Sequence, residues 1–273
     1  MRNLKSLFVL MAGLVVTHVN AEIQWQPKEI QQGQLVRGSG AKGCQLRMDS
    51  EELQVDEAGR FVFGFGRDYQ PKALLTAHCP GQAMQAWELD IAQREYRIQR
   101  IDGLPPSKVT PNQDQLKRIR KEVAAAKTAR ARRDEREDIF EGFVWPATGP
   151  ISGVYGSQRI LNGNPRRPHF GIDIARPTGT PTVAPAAGVI TLVHEDMYFS
   201  GGTVIIDHGH GVTSSFLHLS KIHVKEGQRV EQGELVADIG ATGRVTGPHL
   251  DWRMNWRGER VDPELLVPPM PAQ

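Results

Sequence analysis

From Glu22 to about Ile101, apolar and polar residues alternate in short runs separated by glycine and proline. Arg60–Phe65, Gln45–Met48 and Tyr96–Ile101 each follow a period of two, the signature of strands with one covered face. They predict a small β-sandwich-like domain over residues 22–105. Leu104-Pro105-Pro106 breaks that pattern. Thr110–Asp114 then reads as a helix start, and the stretch from Gln115 to about Glu137 is rich in Ala, Lys, Arg and Glu, which are good helix formers. Only Leu116, Ile119, Val123 and scattered alanines could form an apolar stripe, so residues 106–140 are expected to be a charged, solvated helical linker. Its basic cluster Arg130, Arg132 and Arg133 reads as a solvated face, with an anionic surface as the alternative. After Phe143-Val144-Trp145-Pro146 the character changes. Glycines become frequent and β-branched runs appear at 188–193 and 202–207, with turn signals every 8–12 residues or so. This predicts an all-β domain over 141–273, an antiparallel β-sandwich or barrel-like arrangement.

The first 21 residues follow a different logic. Arg2 and Lys5 precede an apolar run from Leu7 to Val16, and Val19-Asn20-Ala21 offers small residues for cleavage. That layout is a secretory signal peptide over 1–21, with an uncleaved signal anchor as the alternative. It implies export across the inner membrane to a periplasmic or extracellular location, with no stable membrane span after signal cleavage. Export changes the meaning of the two cysteines, Cys44 and Cys79. In an oxidising compartment they can form one disulfide; two buried thiols are the other possibility. The net charge of +2 gives no support to a nucleic-acid partner.

Candidate chemistry collects in the second half. In His169-Phe170-Gly171-Ile172-Asp173, period-two alternation puts His169, Gly171 and Asp173 on one face, and the glycine leaves room between two polar side chains. By the same rule His249 and Asp251 share a face, opposite Leu250 and Trp252. His218 lies in an apolar strand, Ser214–Ser220. Either metal ligation or a polar outer strand face is open to each pair alone; the three stretches together favour a metal site. His208 and His210 form a His-x-His, but the glycines around them mark a hairpin turn. His78, His194 and His223 have no partner at ligand spacing.

These residues carry a resemblance. From about Trp145 to Val267 the chain resembles the lysostaphin/LytM-type zinc metallopeptidases of bacterial cell walls. It does so through GVYGSQR at 153–159, PHFGIDIA at 168–175, FLHLS at 216–220, VEQGELVADIGATGRVTGPHL at 230–250 and VDPELL at 261–266. The resemblance implies the duplicated hybrid motif fold and an exported endopeptidase that hydrolyses peptide cross-links of peptidoglycan with a metal-activated water. It places metal ligands at His169, Asp173 and position 251, and catalytic histidines at His218 and His249. Position 251 departs from the family, which has histidine there; Asp251 is still a ligand type that zinc accepts. A harder donor set raises the chance of another divalent ion in place of Zn2+. Arg159 is a candidate for substrate binding or a surface ion pair. The family also contains inactive members that bind peptidoglycan or activate a cell-wall amidase, which defines the second reading of this chain. A carbohydrate- or carrier-binding β-domain is a third, and the His169/Asp173/His249 set argues against it.

Overall fold

The structure, a computed structural model, describes residues 22–271. The segment assigned above to a signal peptide lies outside the described residues. Among the described residues, no helix is long and apolar enough to cross a membrane.

The chain is β-rich on both sides of one long helix. In the N-terminal part, a three-stranded sheet joins Gln24–Gln26, Leu35–Ser39 and Phe61–Gly64. A five-stranded sheet runs in the order Ile30–Gln31, Gln85–Ala92, Lys72–His78, Gln45–Met48, Glu51–Leu53. Lys72–His78 alternates exposed and buried positions, the pattern of a strand with one wet face. Cys44 and Cys79 are joined by a disulfide next to the paired residues Gln45 and His78.

Phe61–Gly64 does not keep the expected alternation, because all four residues are buried. The physical reason is a second layer. A Cβ on Gly64 would stand 3.0 Å from Val261 and 3.4 Å from Trp256, so C-terminal strands cover this strand's other side. Phe61, Phe63 and Phe65 form a ring series at centroid distances of 6.2 and 5.6 Å. One contiguous apolar core therefore runs from Ile23 to Val261 across both halves of the chain. Strand Ile98–Ile101 also crosses the position where the sequence changes character: it pairs in parallel with Gln158–Leu161.

The helix spans Gln113–Ala129 and opens with a capping box. The Asn112 side chain accepts from the Gln115 N–H, and the Gln115 side chain accepts from the Asn112 N–H. It ends earlier than the composition predicts because the following backbone is needed elsewhere. Asp134 O accepts from His210 N at 2.8 Å, and Ile139 N donates to His208 O at 3.1 Å. Nor is the helix wholly solvated. Ala126 and Ala129 pack on Leu192, Met197 and Ile205 of the large sheet.

That large sheet has ten strands. Its main path runs Ile151–Gly153, Ile172–Ala175, His249–Trp256, Val212–Ile222, Gly201–Asp207, Gly188–Met197, Arg229–Val230, with Glu259–Val261 paired to His249–Trp256. The pairs in this path are antiparallel. Leu250, Trp252, Met254 and Trp256 point into the core, which turns His249, Asp251, Arg253 and Asn255 onto the opposite face. This second face carries the site.

Candidate metal centre

Register brings the two acidic candidates side by side. Asp173 lies directly opposite Asp251 in the pair formed by Ile172–Ala175 and His249–Trp256. His169 precedes the first of these strands, and its N–H donates to Ser157 O at 2.8 Å. Its Nε2 lies 3.0 Å from Asp173 Oδ1 and 3.5 Å from Asp251 Oδ1. Gly171 is what makes this approach possible: a Cβ there would stand 2.7 Å from Asp251 Oδ1 and 2.6 Å from Arg253 Cγ. Gly153 plays the same part for Asp173, whose carboxylate fills the space a side chain would need.

His218 arrives by a break in the strand rule. Leu217 pairs with Asp251, so strict alternation would send His218 to the other face. His218 instead has φ +66°, a left-handed conformation that costs a non-glycine residue energy and re-aims its side chain. The ring now faces the site, with Nε2 4.0 Å from Asp251 Oδ2 and its centroid 4.9 Å from that of His249. His249 Nε2 lies 3.7 Å from Asp173 Oδ1. In both rings Nδ1 meets a backbone carbonyl that can only accept: Thr242 O at 2.8 Å for His218 and Gly247 O at 2.9 Å for His249. Nδ1 therefore carries the proton in the neutral ring, and each Nε2 presents a lone pair to the site.

The fit of a divalent ion can be tested on these atoms. His169, Asp173 and Asp251 each offer a donor, all within 4.8 Å of one another. His169 Nε2 and Asp173 Oδ1 are buried and neither finds a hydrogen bond of ordinary geometry. Buried polar atoms are rarely left so. Tetrahedral ligands at about 2.0–2.2 Å from zinc stand about 3.4 Å from each other. The observed separations of 3.0 and 3.5 Å bracket that edge. The donor set fits.

Electrostatics agree. Burial works against an imidazolium at His169, yet Asp251 and Asp173 raise its pKa above the ordinary value. Burial would raise the Asp251 carboxyl, but Arg253 and His169 outweigh it and hold it well below the usual range. This is a site that calls for positive charge.

The sequence reading missed Arg253. Its Nε and Nη2 donate to Asp251 Oδ1 and Oδ2 at 2.8 and 2.5 Å, a bidentate pair. The available signal was spacing, since residues 251 and 253 share a strand face. The pair as a unit is neutral, as a histidine ligand is. Arg159 is tied to the site as well, donating to Asp173 Oδ2 at 2.9 Å while reaching Gln99 Oε1 at 3.3 Å. The remaining histidines lie elsewhere. His208 is buried between Ala187 O and Ser214 Oγ, His210 packs edge-on against Phe140, and His223 pairs with Asp238.

Residues 167–263 match the model of peptidase family M23. A crystal structure from Pseudomonas aeruginosa, of a protein assigned to peptidase M23, is 30% identical with a TM-score of 0.67, covering 87% of this chain and 94% of that one. The chain belongs to peptidase family M23. The peptidoglycan DD-endopeptidase ShyA of Vibrio cholerae is 42% identical over 130 residues, 47% of this chain and 30% of that protein. The DD-carboxypeptidase/endopeptidase Mpg of Neisseria meningitidis serogroup B is 42% identical over 105 residues, 38% of this chain and 24% of that protein. The chain thus covers less than a third of the length of these curated relatives.

Proposed function

We propose that this chain is an exported, metal-dependent endopeptidase that cuts peptide cross-links of peptidoglycan. His169, Asp173 and Asp251 hold the ion, zinc by the family's habit. The observation that carries this reading is the convergence of three buried donors with two histidine Nε2 atoms on one sheet face. The names of the relatives ShyA and Mpg support the substrate class.

When bound, the ion supplies Lewis acidity toward the scissile carbonyl and the attacking water. The protein's part is proton handling and alignment. The Nε2 atoms of His218 and His249 are the bases available; one accepts the proton of the attacking water, and the other, in its imidazolium form with a proton taken from solvent on Nε2, stabilises the oxyanion or passes that proton to the leaving amine. Thr242 O and Gly247 O fix the tautomers that this requires. Arg253 and Arg159 orient the two carboxylates and offset their charge.

One observation favours a second reading, an inactive relative that binds peptidoglycan or activates an amidase. Arg253 engages both oxygens of Asp251, so this carboxylate is already charge-matched. Digestion of purified sacculi separates the two. The zinc-loaded chain should release peptides, and His249→Ala should release about a hundredfold less or lower while keeping its metal. Release of no peptides by the metal-loaded, folded chain would overturn the peptidase reading.

A further inference from the structure

The face that holds the metal ligands continues past Asp251 into a group of arginines. Arg253 lies two residues along the same strand. Arg260 lies opposite Asn255 across the next hairpin and therefore shares the face of Asp251, Arg253 and Asn255. The helix brings the third. Ala129 packs on Ile205; Ile205, Ser215 and Arg253 occupy successive strands in line, and Arg130 caps the helix immediately after Ala129.

Three guanidiniums thus meet at the helix end with one carboxylate among them, and that carboxylate is already bidentate to Arg253. Arg260 Nη1 is buried without a hydrogen-bond partner. Among the described residues, neither Arg130 nor Arg260 has an ion-pair partner. Burial, then Arg130 and Arg253, pull Arg260 down to about 9; burial and Arg253 pull Arg130 down to about 10. A guanidinium does not give up its proton in a protein, so the cluster keeps its positive charge and favours an anion beside it. Each of the three residues keeps some exposed surface.

We propose that Arg130 and Arg260, backed by Arg253, form a subsite for a free carboxylate of the peptide substrate, one or two residues from the bond that is cut. The chemistry is that of a planar fork meeting a planar anion. The reach follows from strand spacing: Arg253, which backs the pair, stands two residues or about 7 Å beyond Asp251, the Asp251 charge is felt at Arg260 as well, and an extended peptide advances about 3.3 Å per residue. This subsite rests on the peptidase reading for its substrate but not for its charge.

The test compares N-acetyl-Lys-D-Ala-D-Ala as the free acid with its C-terminal amide. Binding is measured by calorimetry on the full zinc-loaded chain carrying His249→Ala, and cleavage on the unaltered full chain. The acid should bind about tenfold more tightly than the amide. Arg260→Gln should bring that ratio near one, Arg130→Gln should lower it, and Arg260→Lys should retain part of it. If Arg260→Gln melts early, Arg130→Gln and Arg260→Lys decide alone. Equal affinity for acid and amide in the His249→Ala chain overturns the subsite. Cleavage without acid preference rejects the subsite and keeps the peptidase; acid preference without any cleavage, on this peptide or on sacculi, does the reverse.

Discussion

Two histidine groups sit on the same large sheet and differ in what surrounds them. At one end of strand Gly201–Asp207, His208 lies in a turn, fully buried, with both ring nitrogens bonded to Ala187 O and Ser214 Oγ. Its neighbouring acid, Asp207, is taken by Arg136. At the other site, His169 faces two carboxylates and finds no ordinary hydrogen bond for Nε2. Burial is the same in both; satisfaction is not. A His-x-His spacing identifies a ligand pair only if the fold leaves the nitrogens of both rings unspent; here those of His210 find no hydrogen bond of ordinary geometry, but those of His208 are spent on the fold.

The widest split between the two groups should come from alanine. His218→Ala or His249→Ala should cut peptide release by about 10²–10⁴-fold with metal content unchanged. His208→Ala should instead leave metal content unchanged and lower the melting temperature; sacculus digestion and elemental analysis read both. Removing Asp251 probes the ligand side. Asp251→Ala leaves Arg253 uncompensated, which should cost about 3–5 kcal/mol of stability as well as metal affinity, measured by denaturant unfolding and competition with a chelator.

Acid distinguishes the groups next. Burial lowers the His208 pKa to about 4, below its ordinary 6.5. A depressed folded value means that the unfolded chain binds the proton first. The resulting stability is complete above pH 6.5 and is lost as pH falls toward 4, by about 3 kcal/mol. His208→Asn should flatten this part of the stability profile between those values. The smallest effect is steric. Gly171→Ala pushes a methyl against Asp251 Oδ1 and should weaken metal binding by about tenfold. The corresponding change in the structural turn, Gly209→Ala at φ +86°, should cost stability of about 1–3 kcal/mol and leave metal affinity alone.

Much of the site could be read along the chain. Period-two alternation puts His169 with Asp173 and His249 with Asp251, and Gly171 explains itself as the gap between them. The stretch Thr110–Asp114 marked the helix start, which the structure places at Gln113. Other features were hidden for physical reasons. His218 defeats alternation because one residue in a left-handed conformation turns it around. The helix stops at Ala129 because the next backbone segment bonds to the turn holding His208 and His210. Phe61–Gly64 loses its expected wet face because strands nearly two hundred residues away cover it.

The sequence by itself determined which donors exist and which pairs share a strand face, because side-chain direction in a strand follows from local geometry. It also determined the β-rich character of both parts. Only the tertiary structure decided that Asp173 stands opposite Asp251, that Arg253 neutralises the Asp251 carboxylate, and that the helix delivers Arg130 to the same face. Those outcomes depend on strand register and on packing between distant segments, and no local periodicity encodes either.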